Sequence, residues 1–257
     1  PLDTIKVRLQ STAQFTGSLD CFKCTVAEEG VAGLFKGLSA PLAGAGVMNA
    51  ALFTINGRMK ALVAEWRGRD SPSDLTLPEV TVAAWMSVPF YVAVVCPVDV
   101  VKSRLQHQSY AVERLYSGPL DVIRQVGLRG LMSGYVATVC MRAVGLPVYF
   151  AAYAVVKRLT ATDASAPPPS SVLAAGAAAG TAFWAVSFPL DTVKTVIQVG
   201  RGKGSGGTLS AVRKVYAEGG IAGFYRGFVP CILRSAPANA VAFAGYEAFM
   251  RMVGMRT

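Results

Sequence analysis

The sequence predicts an all-α membrane protein built from three tandem helix–surface helix–helix repeats. Three observations carry this prediction. The phrase Pro-x-Asp-x-x-Lys-x-x-x-Gln opens the chain at Pro1 and stands again at Pro97 and Pro189, 96 and 92 residues apart. A glycine-framed second marker follows each copy at a nearly fixed distance. Between the markers lie long stretches almost free of charge. Repetition of this kind fixes the architecture before any local reading begins.

The second marker is Glu29-Gly30-Val31-Ala32-Gly33-Leu34-Phe35-Lys36-Gly37 in repeat one. Repeat three has Glu218-Gly219-Gly220-Ile221-Ala222-Gly223-Phe224-Tyr225-Arg226-Gly227, one residue longer, and repeat two a worn form from Val126 to Gly134. The span from proline to final glycine is 36, 37 and 38 residues. From that glycine to Asn56, Tyr153 and Tyr246 it is 19 residues in every repeat.

Of the 257 residues, 53% are hydrophobic and only 16% charged, against about a quarter charged in an ordinary soluble domain. Residues 39–55 and 170–188 carry no charge, 75–96 carry only Glu79, 132–156 only Arg142, and 229–245 only Arg234. A helix needs ~20 predominantly apolar residues to cross ~30 Å of hydrocarbon, and with short polar extensions these stretches qualify. The net charge of +10 would suit nucleic acid only as a basic stripe with stacking aromatics on a soluble fold. Here Lys and Arg cluster at helix ends and loops, so the charge fits anionic headgroups and no nucleic-acid partner is expected. Cys21 and Cys24 form a C-x-x-C, but His107 is the only histidine and no second cysteine pair exists. A zinc site needs four ligands, so the pair reads as two small apolar residues on an amphipathic helix. Without a nucleotide-binding loop, a nucleophile elbow or a metal set, the chain reads as no enzyme and needs no cofactor. Energy must then come from gradients or counter-exchange.

In order, repeat one covers residues 1–66, repeat two 75–160 and repeat three 170–257. About 18–20 apolar residues precede the signature proline in the later repeats, but nothing precedes Pro1. The expectation is a first spanning helix that lacks its beginning, about twenty residues or more. Residues 1–10 are its inner end. Phe15-Thr16-Gly17 leads into a surface helix over 18–28, with Leu19, Phe22 and Val26 on one side. Residues 38–62 span back, and 67–73 form a polar loop. Repeat two repeats the plan with a helix over 76–106 that contains Pro89, a surface helix after Tyr116-Ser117-Gly118, and a span over 135–157. Residues 162–171, with Pro167-Pro168-Pro169, read as a linker. In repeat three, Gly176 and Gly180 have the spacing that lets helices approach closely in lipid. A glycine run over 200–207 precedes a surface helix at 208–217, and 228–251 is the last span.

These motifs resemble the mitochondrial carrier family, whose signature is Pro-x-Asp/Glu-x-x-Lys/Arg, then Asp/Glu-Gly, four residues, an aromatic, Lys/Arg and Gly. The resemblance covers the whole chain and occurs three times. It implies a pseudo-threefold barrel of six transmembrane helices, the first truncated. It also implies a multi-pass monomer in the mitochondrial inner membrane that moves a small metabolite by opening alternately to either side.

Asp and Lys three residues apart share one helix face, and unpaired charge inside a bilayer is expensive. Around a pseudo-threefold axis the predicted pairs are Asp3–Lys102, Asp99–Lys194 and Asp191–Lys6. Gln10, Gln106 and Gln198 stand four residues beyond each lysine, placed to hydrogen-bond across the pairs. By the resemblance these nine residues are the matrix-side gate and its glutamine brace. The opposing outer gate falls on Lys60, Lys157 and the Tyr246-Glu247 register, where Glu247 alone can pair with a lysine, so it reads as weak.

The resemblance places the substrate site seven to eight residues after the closing glycine, at Gly44-Ala45, Met141-Arg142 and Arg234-Ser235, with Asn49 and Asn239 a turn further on. Arg142 and Arg234 are charges within apolar spans, functional candidates by default, and an arginine fork suits carboxylate or phosphate. The segments from Lys36 to Gly44 and from Arg234 to Ala240 resemble the amino-acid and carnitine/acylcarnitine branch. That branch usually follows its fourth-helix arginine with an acid, whereas Ala143 follows Arg142 here. A carrier of anionic carboxylates is therefore the alternative, and a non-transporting scaffold or receptor of the same fold is the competing class. Gly17, Lys36, Gly37, Gly118, Arg226 and Gly227 resemble the family's cardiolipin sites, where helix N-termini present backbone N–H groups to phosphate.

Overall fold

The computed structural model describes residues 1–12, 14–108, 115–160, 169–200 and 207–234. Helices α1 (Leu2–Ser11), α2 (Ser18–Gly33) and α3 (Ser39–Trp66) form the first repeat. Helices α4 (Leu77–His107), α5 (Pro119–Leu131) and α6 (Tyr135–Thr160) form the second. Helices α7 (Pro169–Val199) and α8 (Thr208–Gly223), with helical residues 228–234, belong to the third. There is no strand among the described residues.

Helices α1, α4 and α7 pack pairwise against one another, while α2, α5 and α8 each lie on the signature helix of their own repeat. The surface helices are anchored by buried apolar residues. Cys21 of α2 is fully enclosed against Ile5, Leu9 and Leu34, and Val122 of α5 against Val100 and Leu105. Each buried Leu, Ile or Val side chain contributes about 1.5–3 kcal/mol. Cys21 is thus a core residue of the α1–α2 contact. Leu42, Val47, Phe53 and Trp66 on α3 are exposed.

Several sequence expectations are adjusted. Helical residues continue past 28 and 217 to Gly33 and Gly223, but Gly30 and Gly220, with positive φ of 68° and 57°, kink each run. The first segment thus ends close to the expected bound and a short second one follows. The linker expected over 162–171 is overtaken at Pro169, where α7 starts; a proline in a first helical turn sacrifices no intrahelical bond. Gly176 and Gly180 face open space among the described residues, whereas their neighbours Ala175 and Ala179 are buried. The close-packed stripe is therefore rotated by one residue. Among the described residues two helices, Leu77–His107 and Tyr135–Val156, are long and apolar enough to cross a membrane, each with mean hydropathy 1.7. Helix α3 carries Arg58, Lys60 and Glu65 in its second half, which dilutes its apolar run. The last span over 228–251 and the glycine run lie largely outside the described residues.

Candidate functional site

The second marker positions the signature helices. Gly37, Gly134 and Gly227 all have φ between 75° and 83°, a region where a side chain is strained. A Cβ on Gly37 would stand 3.0 Å from the carbonyl of Lys102, one on Gly134 3.4 Å from that of Lys194, and one on Gly227 3.1 Å from that of Lys6. Each repeat's closing glycine therefore seats the signature lysine of the next repeat, around the ring. Within repeats one and three, Thr4 and Thr192 donate to the marker carbonyls of Leu34 and Phe224, both at 2.7 Å. Repeat two has Val100 at that position and makes no such bond.

At the meeting point Lys102 Nζ lies 2.6 Å from Asp3, Lys194 Nζ 2.6 Å from Asp99 and Lys6 Nζ 2.8 Å from Asp191. The links are unequal. The Lys6–Asp191 side chains are 12% and 6% exposed, those of Lys102–Asp3 25% and 27%. Gln10 donates to Asp191 at 2.9 Å and accepts from Thr195 at 2.8 Å. Gln106 instead donates to Thr4 at 3.4 Å, and Gln198 accepts from Ser103 at 3.1 Å. Among the described residues neither hydrogen-bonds to an ion pair, and Gln106 Oε1 and Gln198 Nε2 have no hydrogen-bond partner.

Above the ring is a cavity of about 200 Å³ whose lining includes all six residues of the three ion pairs, Met141, Arg142, Arg234 and Trp184. Arg142 lies over the Tyr91 ring at 5.0 Å, with a buried Nε that has no hydrogen-bond partner. Arg234 Nε approaches Asp3 Oδ1 at 2.9 Å, an ion pair without hydrogen-bond alignment. Asp3 thus serves two cations, Lys102 and Arg234. Gly44 does not face the cavity; its Cβ position meets Val98 of α4 at 3.3 Å. Ala45 is absent from the lining and Asn49 is exposed. Lys60 makes no ion pair among the described residues. Ser235, Asn239, Glu247 and the side chain of Lys157 lie outside the described residues.

Two arginines, Arg8 buried and Arg104 half-buried, were not singled out from the sequence. Arg8 of α1 donates to the carbonyls of Gln106 and Gln108, to Thr25 at 2.9 Å and to Glu29 at 2.8 Å. Arg104 of α4 donates to the carbonyls of Gln198 and Gly200 and to Tyr116. Each caps the C-terminal carbonyls of the next repeat's signature helix, where positive charge is favoured. Their shared place, seven residues after the signature proline, was the available signal; Val196 breaks it in repeat three. Lys36 reaches Glu29 at 2.5 Å. Burial raises the Glu29 carboxyl pKa, but hydrogen bonds from Arg8 and Lys36 outweigh it and hold the group below its usual range.

Three signature helices converging on a ring of acid–base pairs beneath a polar cavity define a membrane carrier. The family model for mitochondrial carrier proteins matches residues 1–65, 73–164 and 165–257. The chain is 39% identical to a mitochondrial carnitine/acylcarnitine carrier-like protein of Arabidopsis thaliana, over 96% of this chain and 90% of the relative. It is 36% identical to the mitochondrial basic amino acids transporter of Bos taurus, over 95% and 83%. It is 34% identical to the mitochondrial carnitine/acylcarnitine carrier protein of Mus musculus, over 98% and 88%. The chain belongs to the mitochondrial carrier family. It is a transport protein of the mitochondrial inner membrane, not an enzyme.

Proposed function

We propose that this carrier exchanges carnitine and acylcarnitines, or an amino acid, across the inner membrane by alternating access of a six-helix, pseudo-threefold barrel. The observation that carries the reading is the closed ring Asp3–Lys102, Asp99–Lys194 and Asp191–Lys6 directly beneath a cavity holding Arg142 and Arg234. In this arrangement the inner gate is shut and the cavity awaits substrate from the other side. Arg234 and Arg142 receive the substrate carboxylate, and Met141 walls the site. Recruitment of Arg234 by that carboxylate removes one of the two cations on Asp3. The ring then opens, with Lys60, Lys157 and Glu247 forming the weaker opposing gate.

Arg142 is followed by Ala143 rather than an acid, which favours a second reading, a carrier of carboxylates without an ammonium group. We further assign the N-termini of α2 and α5, at Gly17 and Gly118, to cardiolipin phosphate, together with Lys36-Gly37 and Arg226-Gly227. The working unit is the monomer.

The test is uptake by the full-length protein in liposomes, screening acylcarnitines, basic amino acids and anionic metabolites. Arg234→Ala abolishes uptake of the true substrate while the unfolding midpoint stays within a few degrees of wild type. Normal uptake by that variant overturns the site.

A further inference from the structure

We propose that the ring faces of Trp184 and Phe188, with the carboxylate of Asp191, form a receiving site for the ammonium group of a zwitterionic substrate, held in this state by Lys6. The inference rests on the transport reading above and narrows its substrate class.

Lys6 Nζ stands 4.4 Å from the Trp184 ring centroid and 5.4 Å from that of Phe188, as well as 2.8 Å from Asp191. Cations over aromatic faces are attracted by the ring quadrupole, most strongly where water is excluded. The threefold plan does not require this. The two positions ahead of Pro97 that correspond to Trp184 and Phe188 hold Val92 and Cys96. Lys194, paired with Asp99, has no aromatic wall there. The cage is also preorganised. Phe188 is stacked on Tyr225 at 6.2 Å and meets Phe228 edge-on at 5.2 Å and Trp184 at 6.4 Å. A rigid wall spares a ligand the ordering it would otherwise impose.

Charge bookkeeping directs a substrate ammonium to this place. The acids lining the cavity are Asp3, Asp99 and Asp191. Asp3 already serves Lys102 and Arg234, and Asp99 is paired with Lys194, which stands over no aromatic ring among the described residues. A zwitterion inserted across the Lys6–Asp191 pair conserves charge. Its ammonium takes Asp191 and the Trp184 face, its carboxylate takes Arg234 and Arg142, and the Asp3 charge that Arg234 gives up is left to balance the displaced Lys6. A plain carboxylate offers nothing to the cage and leaves that pair intact. The third link of the inner ring is thereby opened by the substrate's own cation.

The experiment uses the full-length protein and two matched probe pairs. L-Carnitine is set against 3-hydroxybutyrate, which lacks only the trimethylammonium group, and 5-aminopentanoate against pentanoate, which lacks only the ammonium. Apparent affinities are read from the ligand-induced rise in unfolding midpoint, which needs no transport. In Trp184→Leu the zwitterion's affinity falls about tenfold, while in Trp184→Phe it stays within about threefold of wild type. Affinities for the deaminated acids do not change. The cage is overturned if Trp184→Leu weakens both members of a pair equally, or leaves the zwitterion unaffected. If wild type responds only to the deaminated acids, the cage falls and an anion carrier stands. If no probe acts on wild type, the substrate class and the cage fall together.

Discussion

Replacing Asp191 by Asn should destabilise the protein far more than the equivalent change at Asp3. The two differ in how much water can compensate. The Lys6–Asp191 side chains are 12% and 6% exposed, whereas Lys102 and Asp3 are each about a quarter exposed. Removing one partner of a buried pair costs about 3–5 kcal/mol, because the other charge is left buried and alone. Lys6 keeps the Trp184 face, which retains about 1 kcal/mol, so the lower end, about 3 kcal/mol, is expected. Asp3 faces two more exposed cations, Lys102 and Arg234, and the two pairs together are worth about 1 kcal/mol. At about 2–4 °C per kcal/mol for a chain of this size, Asp191→Asn lowers the unfolding midpoint by roughly 6–12 °C and Asp3→Asn by roughly 2–4 °C. The assay is thermal unfolding in detergent, followed by reaction of the buried thiols Cys21, Cys96 and Cys231 with a fluorogenic dye. Adding Lys6→Met to Asp191→Asn should recover part of the loss, since no lone charge is then buried. Equal shifts for the two single variants, or a larger one for Asp3→Asn, would refute the reasoning.

Two further outcomes are expected. Gly37→Ala forces a left-handed φ and drives a Cβ against the Lys102 carbonyl, whereas Gly30→Ala at φ 68° enters open space; left-handed strain alone is about 1–2 kcal/mol, so Gly37→Ala must lower the midpoint more. The Glu29 carboxyl has a depressed folded-state pKa, so its stabilisation is present above the unfolded value of about 4.3 and is lost as pH falls through the folded value. Glu29→Gln should therefore lower stability at neutral pH and flatten the acid limb of a stability–pH curve.

The sequence made the three repeats and the signature register legible, because those features are carried by spacing alone. The acid–base register follows from three residues on one helix face. What escaped depends on which helix lies next to which. Arg234 on the third repeat reaches Asp3 on the first, and Gln106 and Gln198 find Thr4 and Ser103 rather than the ion pairs. Neither contact is implied by periodicity. Tyr225 is similar: its hydroxyl bonds the carbonyl of Ala185 at 3.2 Å, the group left without an intrahelical donor by Pro189 four residues on. Repeats one and two have Phe35 and Met132 at that place and cannot do so. The departures from threefold symmetry, more than the symmetry itself, shape the cavity. Lys6 over Trp184 is one of them.

The most direct measurement on the ring of alternating charges is substrate exchange by the charge-exchanged pair. Asp99→Lys and Lys194→Asp should each suppress exchange in liposomes. Combined, they rebuild the 2.6 Å contact in reverse and should restore a substantial fraction of the rate. A double variant no more active than its worse parent would contradict the gate.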